Sequence, residues 1–450
     1  VRKWEKMIDR EPTISVGIMD AATGLRGDCE TPFLVGHDRS AELRGAFAVR
    51  AEGGSVVVTG PGQKEYRHDG PLTFDPVGAG RFMLRDVTIG VKFHWERKED
   101  QTFAGALRLV PRGDGTLSVI NQVPLEAYLA SVISSEMSAT APAALLEAHA
   151  ITSRSWLVAM LERAARKTPP ILPPPSGEGG EIVRWYTRED HDVYDVCADD
   201  HCQRYQGVSK IISRAVDEAI KRTRGLFLVY DGEVCDARFY KTCGGLTDEF
   251  HLTWEPVQVP YLHSVSDASR AYPPVNSEEE ARQWILSSPE VFCNTTDGSI
   301  LRQVLPSFDQ ETTDFFRWEV TYRREDLEAI LREKSGIDFG TLMDIVPLDR
   351  GPSGRITRCR IVGTGRTVIV GKELEIRRWL SKSHLYSSAF IVTCERERTG
   401  VPTTIRLQGA GWGHGVGLCQ IGAAVMAVRG FSPEQIVTHY FPGAALRRLY

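Results

Sequence analysis

No apolar run in this chain approaches the ~18 residues that a membrane-crossing helix needs, and Val1-Arg2-Lys3-Trp4 is not an apolar signal core. No membrane span is expected in the chain, and any export signal is expected to be trimmed from it or never to have existed. Excess positive charge is missing too. Fifty-four Lys and Arg stand against 59 Asp and Glu, a net charge of −5, so no global basic field gathers the phosphates of a nucleic acid. Nucleic acid is therefore not an expected partner. The low hydrophobicity of a disordered chain is also absent: 42% hydrophobic and 25% charged residues, with a mean hydropathy of −0.23, are ordinary for a folded protein. HExxH, a GxSxG elbow, a strand-GxGxxG-helix unit and a Lys-Ser/Thr phosphate loop do not occur, and no repeat of fixed period is visible.

What is present begins with nine cysteines, at 29, 197, 202, 235, 243, 293, 359, 394 and 419. An odd count excludes complete intramolecular pairing. Most lie tens of residues apart with no repeating frame, so several read as scattered buried small hydrophobes. Only Cys197 and Cys202 sit close together.

From Pro12 to about Ile120, short runs rich in Val, Ile, Phe and Thr alternate with Gly, Asp and Pro, the signature of strands. Gly53-Gly54 and Gly113-Asp114-Gly115 separate pairs of runs and supply the positive φ of tight hairpins, so the region reads as antiparallel sheet. At residue 122 the period changes to that of a helix. Leu125, Tyr128, Leu129, Val132 and Ile133 repeat at helical spacing behind Pro124, and a second helix is expected from about Ala141 to Glu162. Residues 165 to 182 are rich in Pro and Gly and read as a flexible insertion or surface loop. Residues 264 to 315 are polar with one short helix opening at Ser277, and a later helix near 325–335 stops at Gly336. At the C-terminus, five glycines alternate from Gly409 to Gly417 before a helix near Cys419, a place where backbone can approach a ligand closely. A last helix opens at Ser432-Pro433 with Gln435 three residues after the cap.

Three constellations carry chemistry. His191, Cys197, His201 and Cys202 lie within twelve residues and make a tetrahedral zinc set; a Cys197–Cys202 disulfide and unrelated cysteines stand as alternatives. Glu136 falls at a helix end beside Ile133, Ser134, Ser135 and Met137. A carboxyl in a partly apolar cleft keeps its proton near neutral pH, as a general acid must. His149 and Arg154 on the next helix diverge by about 140°, so at most one faces that cleft. His414, between Gly413 and Gly415, is reachable because neither neighbour has a side chain.

These stretches together resemble the SpoIID/LytB family of bacterial cell-wall proteins. VPLEAYLASVISSEMSATAPAALLEAHAITSRSW is similar to its helix-Glu-Met-helix signature, DVCADDHCQRYQG to its cysteine-histidine motif and FYKTCGGLTDEF to its Cys-Gly-Gly segment. GWGHGVGLCQIGAAVMAVRGFSPEQIVTHYFPG is similar to its C-terminal hallmark. The resemblance runs from about residue 13 to 450. It implies an extracytoplasmic protein acting on peptidoglycan glycan strands, a lytic transglycosylase with Glu136 as the catalytic acid/base. It also implies a closed, structural Zn2+ on His191, Cys197, His201 and Cys202, and Ser135, Arg154, His414 and Gln420 are expected to contact substrate. A second branch of the family implies the alternative, a non-catalytic wall-binding enhancer of an N-acetylmuramoyl-L-alanine amidase. The chain departs from the usual pattern at Ser138 (Pro), His149 (Gln), Ser155-Trp156 (Thr-Tyr) and Leu418-Cys419 (Met-Ser). The expected fold is α+β, mostly antiparallel β with a helical catalytic segment and C-terminal helices. It is expected to divide into a β-rich part, 1–120, and a catalytic core, 121–450, with insertions near 165–190 and 264–315.

Overall fold

The alternation in the first quarter of the chain folds as one large, mostly antiparallel sheet. Its strands are β1 (Thr13–Ala22), β2 (Gly24–Val35), β3 (Ala41–Glu52), β4 (Ser55–Thr59), β5 (Glu65–Asp69), β6 (Leu72–Pro76), β7 (Arg81–Ile89), β8 (Arg97–Ala104), β9 (Ala106–Pro111) and β10 (Leu117–Pro124). The order is β1-β10-β9-β6-β2-β3-β4-β5, with the β7–β8 hairpin pairing onto β2. Ile14, Val16 and Ile18 of β1 are buried at alternate positions, which fixes its register against β10. The turn chemistry is as expected. Gly53 and Gly54 take φ of 59° and 85° between Glu52 and Ser55, the two-residue loop that needs positive φ twice. This is the α+β, mostly antiparallel architecture expected from the sequence.

The computed structural model describes residues 8, 10–36, 41–90, 96–138, 141–166, 180–186, 191–199, 201–211, 213–275, 277–304 and 314–450. The proline-rich stretch expected to be an insertion lies largely outside them. The chain divides into two units, one of Val1–Arg154, Glu189–Phe227 and Arg447–Tyr450, the other of Ser155–Arg188 and Leu228–Leu446. The expected boundary at residue 120 falls within the first of these units. β10, held by β1 on one side and β9 on the other, runs without a break into α1 (Leu125–Glu136). Residues beyond 120 therefore belong with the sheet.

In the first unit α1 is an interior helix. Leu125, Tyr128, Leu129, Val132 and Ile133 are buried, and so are the small polar Ser131 and Ser135. A helix covered on all faces has lost the polar stripe of a surface helix. It ends at Glu136 because Met137 turns to extended backbone while still donating its N–H to Ile133 O. α2 (Ala143–Ala165) follows, belonging to this unit as far as Arg154, and α3 (Arg214–Thr223) contacts α1.

The second unit includes a three-stranded antiparallel sheet, a four-stranded sheet in which Glu181–Val183 adds in parallel at the edge, and the short parallel pair Phe239–Tyr240 with Leu418–Cys419. In the first sheet, Pro402–Ala410 lies between Arg317–Arg323 and Phe390–Arg396; in the second, Ile356–Gly363 lies between Leu342–Arg350 and Thr367–Gly371. Trp318, Leu331, Ile361, Trp379, Phe390 and Leu407 are among the residues of its main core. Helix ends obey the local signals: Ser277 accepts from the N–H of Glu280, Gly336 is the left-handed C-cap, and Ser432 with Gln435 closes a reciprocal capping box.

Candidate active site

Glu136, the last residue of α1, is half-buried, and its Oε1 accepts the backbone N–H of Arg204 at 2.9 Å. That N–H is held in place from both sides. On the α1 side, Tyr128 donates to Gln203 Oε1, Ser131 Oγ accepts from Gln206 N, and the rings of Tyr128 and Tyr205 stack at 5.2 Å. The Tyr205 hydroxyl donates to Asn121 Oδ1 on β10 at 2.5 Å. Residues 203–206 are thereby clamped to the helix that carries Glu136. Ser135, expected as a substrate contact, is 5% exposed, and neither its hydroxyl nor that of Ser134 has a partner among the described residues.

On the other side, the chain entering Arg204 passes through the histidine-cysteine cluster. Val196–Cys197 pairs in parallel with Val16 and Gly17 of β1, and Asp195 accepts the Ser15 N–H at 2.8 Å, so the start of the loop is fixed to the sheet. The ligand atoms of His191, Cys197, His201 and Cys202 all lie within 4.8 Å of one another. His191 Nε2 is 3.4 Å from Cys202 Sγ, and His201 Nδ1 is 3.5 Å from Cys202 Sγ and 3.9 Å from Cys197 Sγ. A tetrahedral ion with bonds of ~2.0–2.3 Å sets ligand atoms about 3.3–3.8 Å apart, so these four residues fit one. No two of the nine cysteines are joined. Hydrogen bonding with Cys202 first, then with His191 and His201, pushes the Cys197 thiol pKa down despite its burial. A cavity of about 410 Å³ opens beside the cluster, lined among others by Asp20, Thr88, Gln101, Tyr194 and Arg204.

Arg154 does something other than the expected substrate contact. It is 0% exposed and grips Glu126 with two bonds, Nε to Oε1 at 3.1 Å and Nη2 to Oε2 at 2.6 Å. Its remaining donors reach Ala150 O, Leu226 O and Thr223 Oγ1. Glu126 also accepts from Gly225 N and the Tyr450 hydroxyl. A buried charge with every donor committed inside the protein is an anchor, out of reach of a glycan. His149, on the same helix, is fully buried as well.

His414 and Gln420 belong to the second unit. The His414 ring accepts the Val416 N–H on Nδ1 at 3.1 Å, which leaves Nε2 to donate to Phe239 O at 3.0 Å. Its faces pack against Tyr240 and Trp254. Burial, then the charges of Arg238 and Arg355, hold its pKa well below the usual value, so the ring is neutral. Both nitrogens serve the backbone, and the ring has only carbon surface left to offer a ligand. Gln420 is 5% exposed, at the first turn of the helix Gln420–Val428.

The glycine run serves the protein's own interior, which revises the ligand approach expected from the sequence. Gly415 has φ of 86°, and a Cβ there would meet the guanidinium of Arg355 at 2.6 Å. Arg355 is itself 0% exposed and donates to Gly413 O, Cys243 O and Ser353 Oγ. Spacing along the chain also conceals a second cluster, in which Cys243, Asp267, Cys293 and Cys419 converge in the interior and are able to hold a metal. Its one trace in the sequence is the unusual Cys419 in the C-terminal hallmark.

The chain is similar to known proteins across this region. Residues 113–230 match the family model described as Stage II sporulation protein, and residues 248–417 match one described as a domain of unknown function, DUF8618. Stage II sporulation protein D of Bacillus amyloliquefaciens is 26% identical over 328 residues, 72% of this chain and 74% of that protein. Its counterpart in Bacillus subtilis (strain 168) is 24% identical over 330 residues, 73% and 75% of the two chains. An uncharacterized protein of Brachyspira hyodysenteriae is 26% identical over 341 residues, 76% and 71%. The segment that is similar to the Stage II sporulation protein family contains Glu136, the histidine-cysteine cluster and the clamp between them.

Proposed function

We propose that this protein is a peptidoglycan lytic transglycosylase that cleaves peptide-denuded glycan strands at N-acetylmuramic acid. The SpoIID match supports a role at the cell wall, and the observation that carries the reading further is the bond from Arg204 N–H to Glu136 Oε1. A carboxyl oxygen that accepts a fixed peptide N–H is the one that stays unprotonated. Oε2 is thereby the oxygen left to give or take the proton, with the group oriented before substrate arrives. As acid, Glu136 gives this proton to the glycosidic oxygen. As base, it takes the proton of the primary hydroxyl on the same muramic residue while that oxygen closes onto the anomeric carbon. One glycosidic bond breaks, one intramolecular C–O bond forms, and the proton balance returns to its start without water. Hydrolysis would instead call for a second carboxylate placed for water or for a covalent intermediate.

Zn2+ on His191, Cys197, His201 and Cys202 completes the reading. Four protein ligands close its coordination, so it supplies rigidity and no reactive position. Cys202 is followed directly by Gln203 and Arg204, so fixing Cys202 holds the donor that orients Glu136. A wall substrate places the protein outside the cytoplasm; among the described residues no helix is long and apolar enough to cross a membrane.

The test incubates wild type and Glu136→Gln with denuded glycan strands and reads the products by mass spectrometry. Wild type is expected to yield anhydro-muramic ends, and the variant to bind strands while losing turnover by a hundredfold or more, on the order of what a positioned acid/base supplies. Glycan binding without products from wild type, joined to faster cleavage by an added amidase, would overturn the lyase reading in favour of the enhancer.

A further inference from the structure

The second cluster lies wholly inside the second unit. Cys243, Asp267, Cys293 and Cys419 are each 0–2% exposed, and their three sulfurs and one carboxylate oxygen lie within 4.8 Å of one another. Cys243 Sγ and Cys293 Sγ are 3.5 Å apart. A disulfide requires about 2.05 Å, and sulfurs on one tetrahedral ion with bonds of ~2.3 Å sit about 3.8 Å apart. Three sulfurs also cannot pair off among themselves.

Three backbone amides are aimed at the sulfurs, while Cys419 Sγ also lies 3.9 Å from Thr242 Oγ1. Cys419 Sγ accepts from the backbone N–H of Cys243 at 3.3 Å and of Gly422 at 3.4 Å. The second of these is a helix-capping bond, since Cys419 is the N-cap of Gln420–Val428, where the helix dipole favours negative charge. Cys243 Sγ accepts from Gly245 N at 3.3 Å. Backbone amides aimed at sulfur stabilise the thiolate form that binds metal. The carboxylate is oriented as a ligand is when outer partners fix it: Asp267 Oδ1 accepts from the Tyr440 hydroxyl at 2.5 Å and Oδ2 from Cys293 N at 2.7 Å. A Cβ on Gly422 would sit 2.1 Å from Asp267 Oδ1, so glycine there is what admits the carboxylate. Three thiolates and a carboxylate around a divalent ion leave two negative charges in the interior. Nearby, the half-buried Arg317 spends its donors on the carbonyls of Gly244, Trp284, Ser287 and Phe316 and brings a positive charge to that environment.

We propose that Cys243, Cys293, Cys419 and Asp267 form a second, buried metal centre for a thiophilic divalent ion of the zinc class, distinct from the histidine-cysteine cluster. Loading it replaces the thiol protons, which leave to solvent, and no oxidant takes part. With four protein ligands the ion is closed and structural. It joins the Cys-Gly-Gly segment, the stretch around Asp267, the stretch around Cys293 and the start of the helix Gln420–Val428, four parts of the chain separated in sequence.

The full chain, prepared under reducing conditions, is analysed for zinc as wild type, as Cys197→Ser/Cys202→Ser and as Cys243→Ser/Cys293→Ser. About two equivalents are expected in wild type and one in each variant. If only the second pair of substitutions lowers the content, the second centre stands and zinc at the first falls. Unchanged zinc in a folded Cys243→Ser/Cys293→Ser protein overturns the proposal. Should that variant fail to fold, cobalt(II) loaded into wild type decides: thiolate-to-cobalt absorption worth five Co–S bonds per chain is expected, and absorption worth two refutes the second centre. A Cys243–Cys293 disulfide in non-reducing peptide maps of wild type refutes it equally.

Discussion

Arg154 shows how far a side chain's role depends on residues remote in sequence. It lies on the helix after Glu136, where a substrate contact was expected, and its partners Glu126, Thr223 and Leu226 come from two stretches remote from it in sequence. Arg154→Met is expected to cost about 3–5 kcal/mol in urea unfolding, because Glu126 is left as an uncompensated buried charge. Glu126→Gln/Arg154→Met together should recover part of that loss. A substrate contact would instead leave the unfolding midpoint alone and raise KM. His414 makes a pH prediction of its own. Its folded pKa lies below the unfolded value near 6.5, so the unfolded state binds the additional proton. The stability this imparts is complete above about pH 6.5 and is lost as pH falls toward the folded pKa. His414→Gln should flatten the decline of the denaturation midpoint between pH 6.5 and 5; an unchanged slope would place its origin elsewhere.

At the scale of elements, the local signals were legible because their causes are local. The Gly53-Gly54 hairpin, the caps at Ser277, Gly336 and Ser432, and the ends of α1 each depend on a few adjacent residues. The histidine-cysteine cluster was legible for the same reason, since its four members fall within twelve residues. The alternating glycines were seen but not their purpose, because the group they enclose is Arg355, some sixty residues earlier. Gly415→Ala forces a Cβ into that guanidinium at a left-handed φ and is expected to destabilise by about 3 kcal/mol or more in chemical denaturation. A glycine kept for ligand approach would spare stability and cost binding. The loop from Cys197 to Arg204 acts through position: Cys197→Ser/Cys202→Ser should lower turnover by about a hundredfold, the cost of misplacing a catalytic group by an ångström, while glycan binding persists.

Across the whole molecule, neither the division into units nor the second cluster could be read from spacing. The chain leaves the first unit at Arg154 and returns to it twice, whereas a boundary drawn from composition assumes that neighbours in sequence stay together. Cys243 pairs with residues 50 and 176 positions away, so it read as one scattered hydrophobe among several. With two metal centres, five cysteines are committed and Cys29, Cys235, Cys359 and Cys394 remain. The first three are buried, and burial pushes Cys29 and Cys359 up to about 12. Alkylation of the native protein should therefore label Cys394 first and reach the other three only with denaturant. A near-neutral surface charge is also consistent with a glycan partner, which needs no basic field.

The central claim is that one carboxyl closes an anhydro ring on the substrate itself. The most direct test runs the reaction on denuded glycan strands in water enriched with oxygen-18 and weighs the muramic ends. New ends without the label, each lighter by one water than a hydrolysed end, are what the account predicts; ends carrying a labelled oxygen would contradict it.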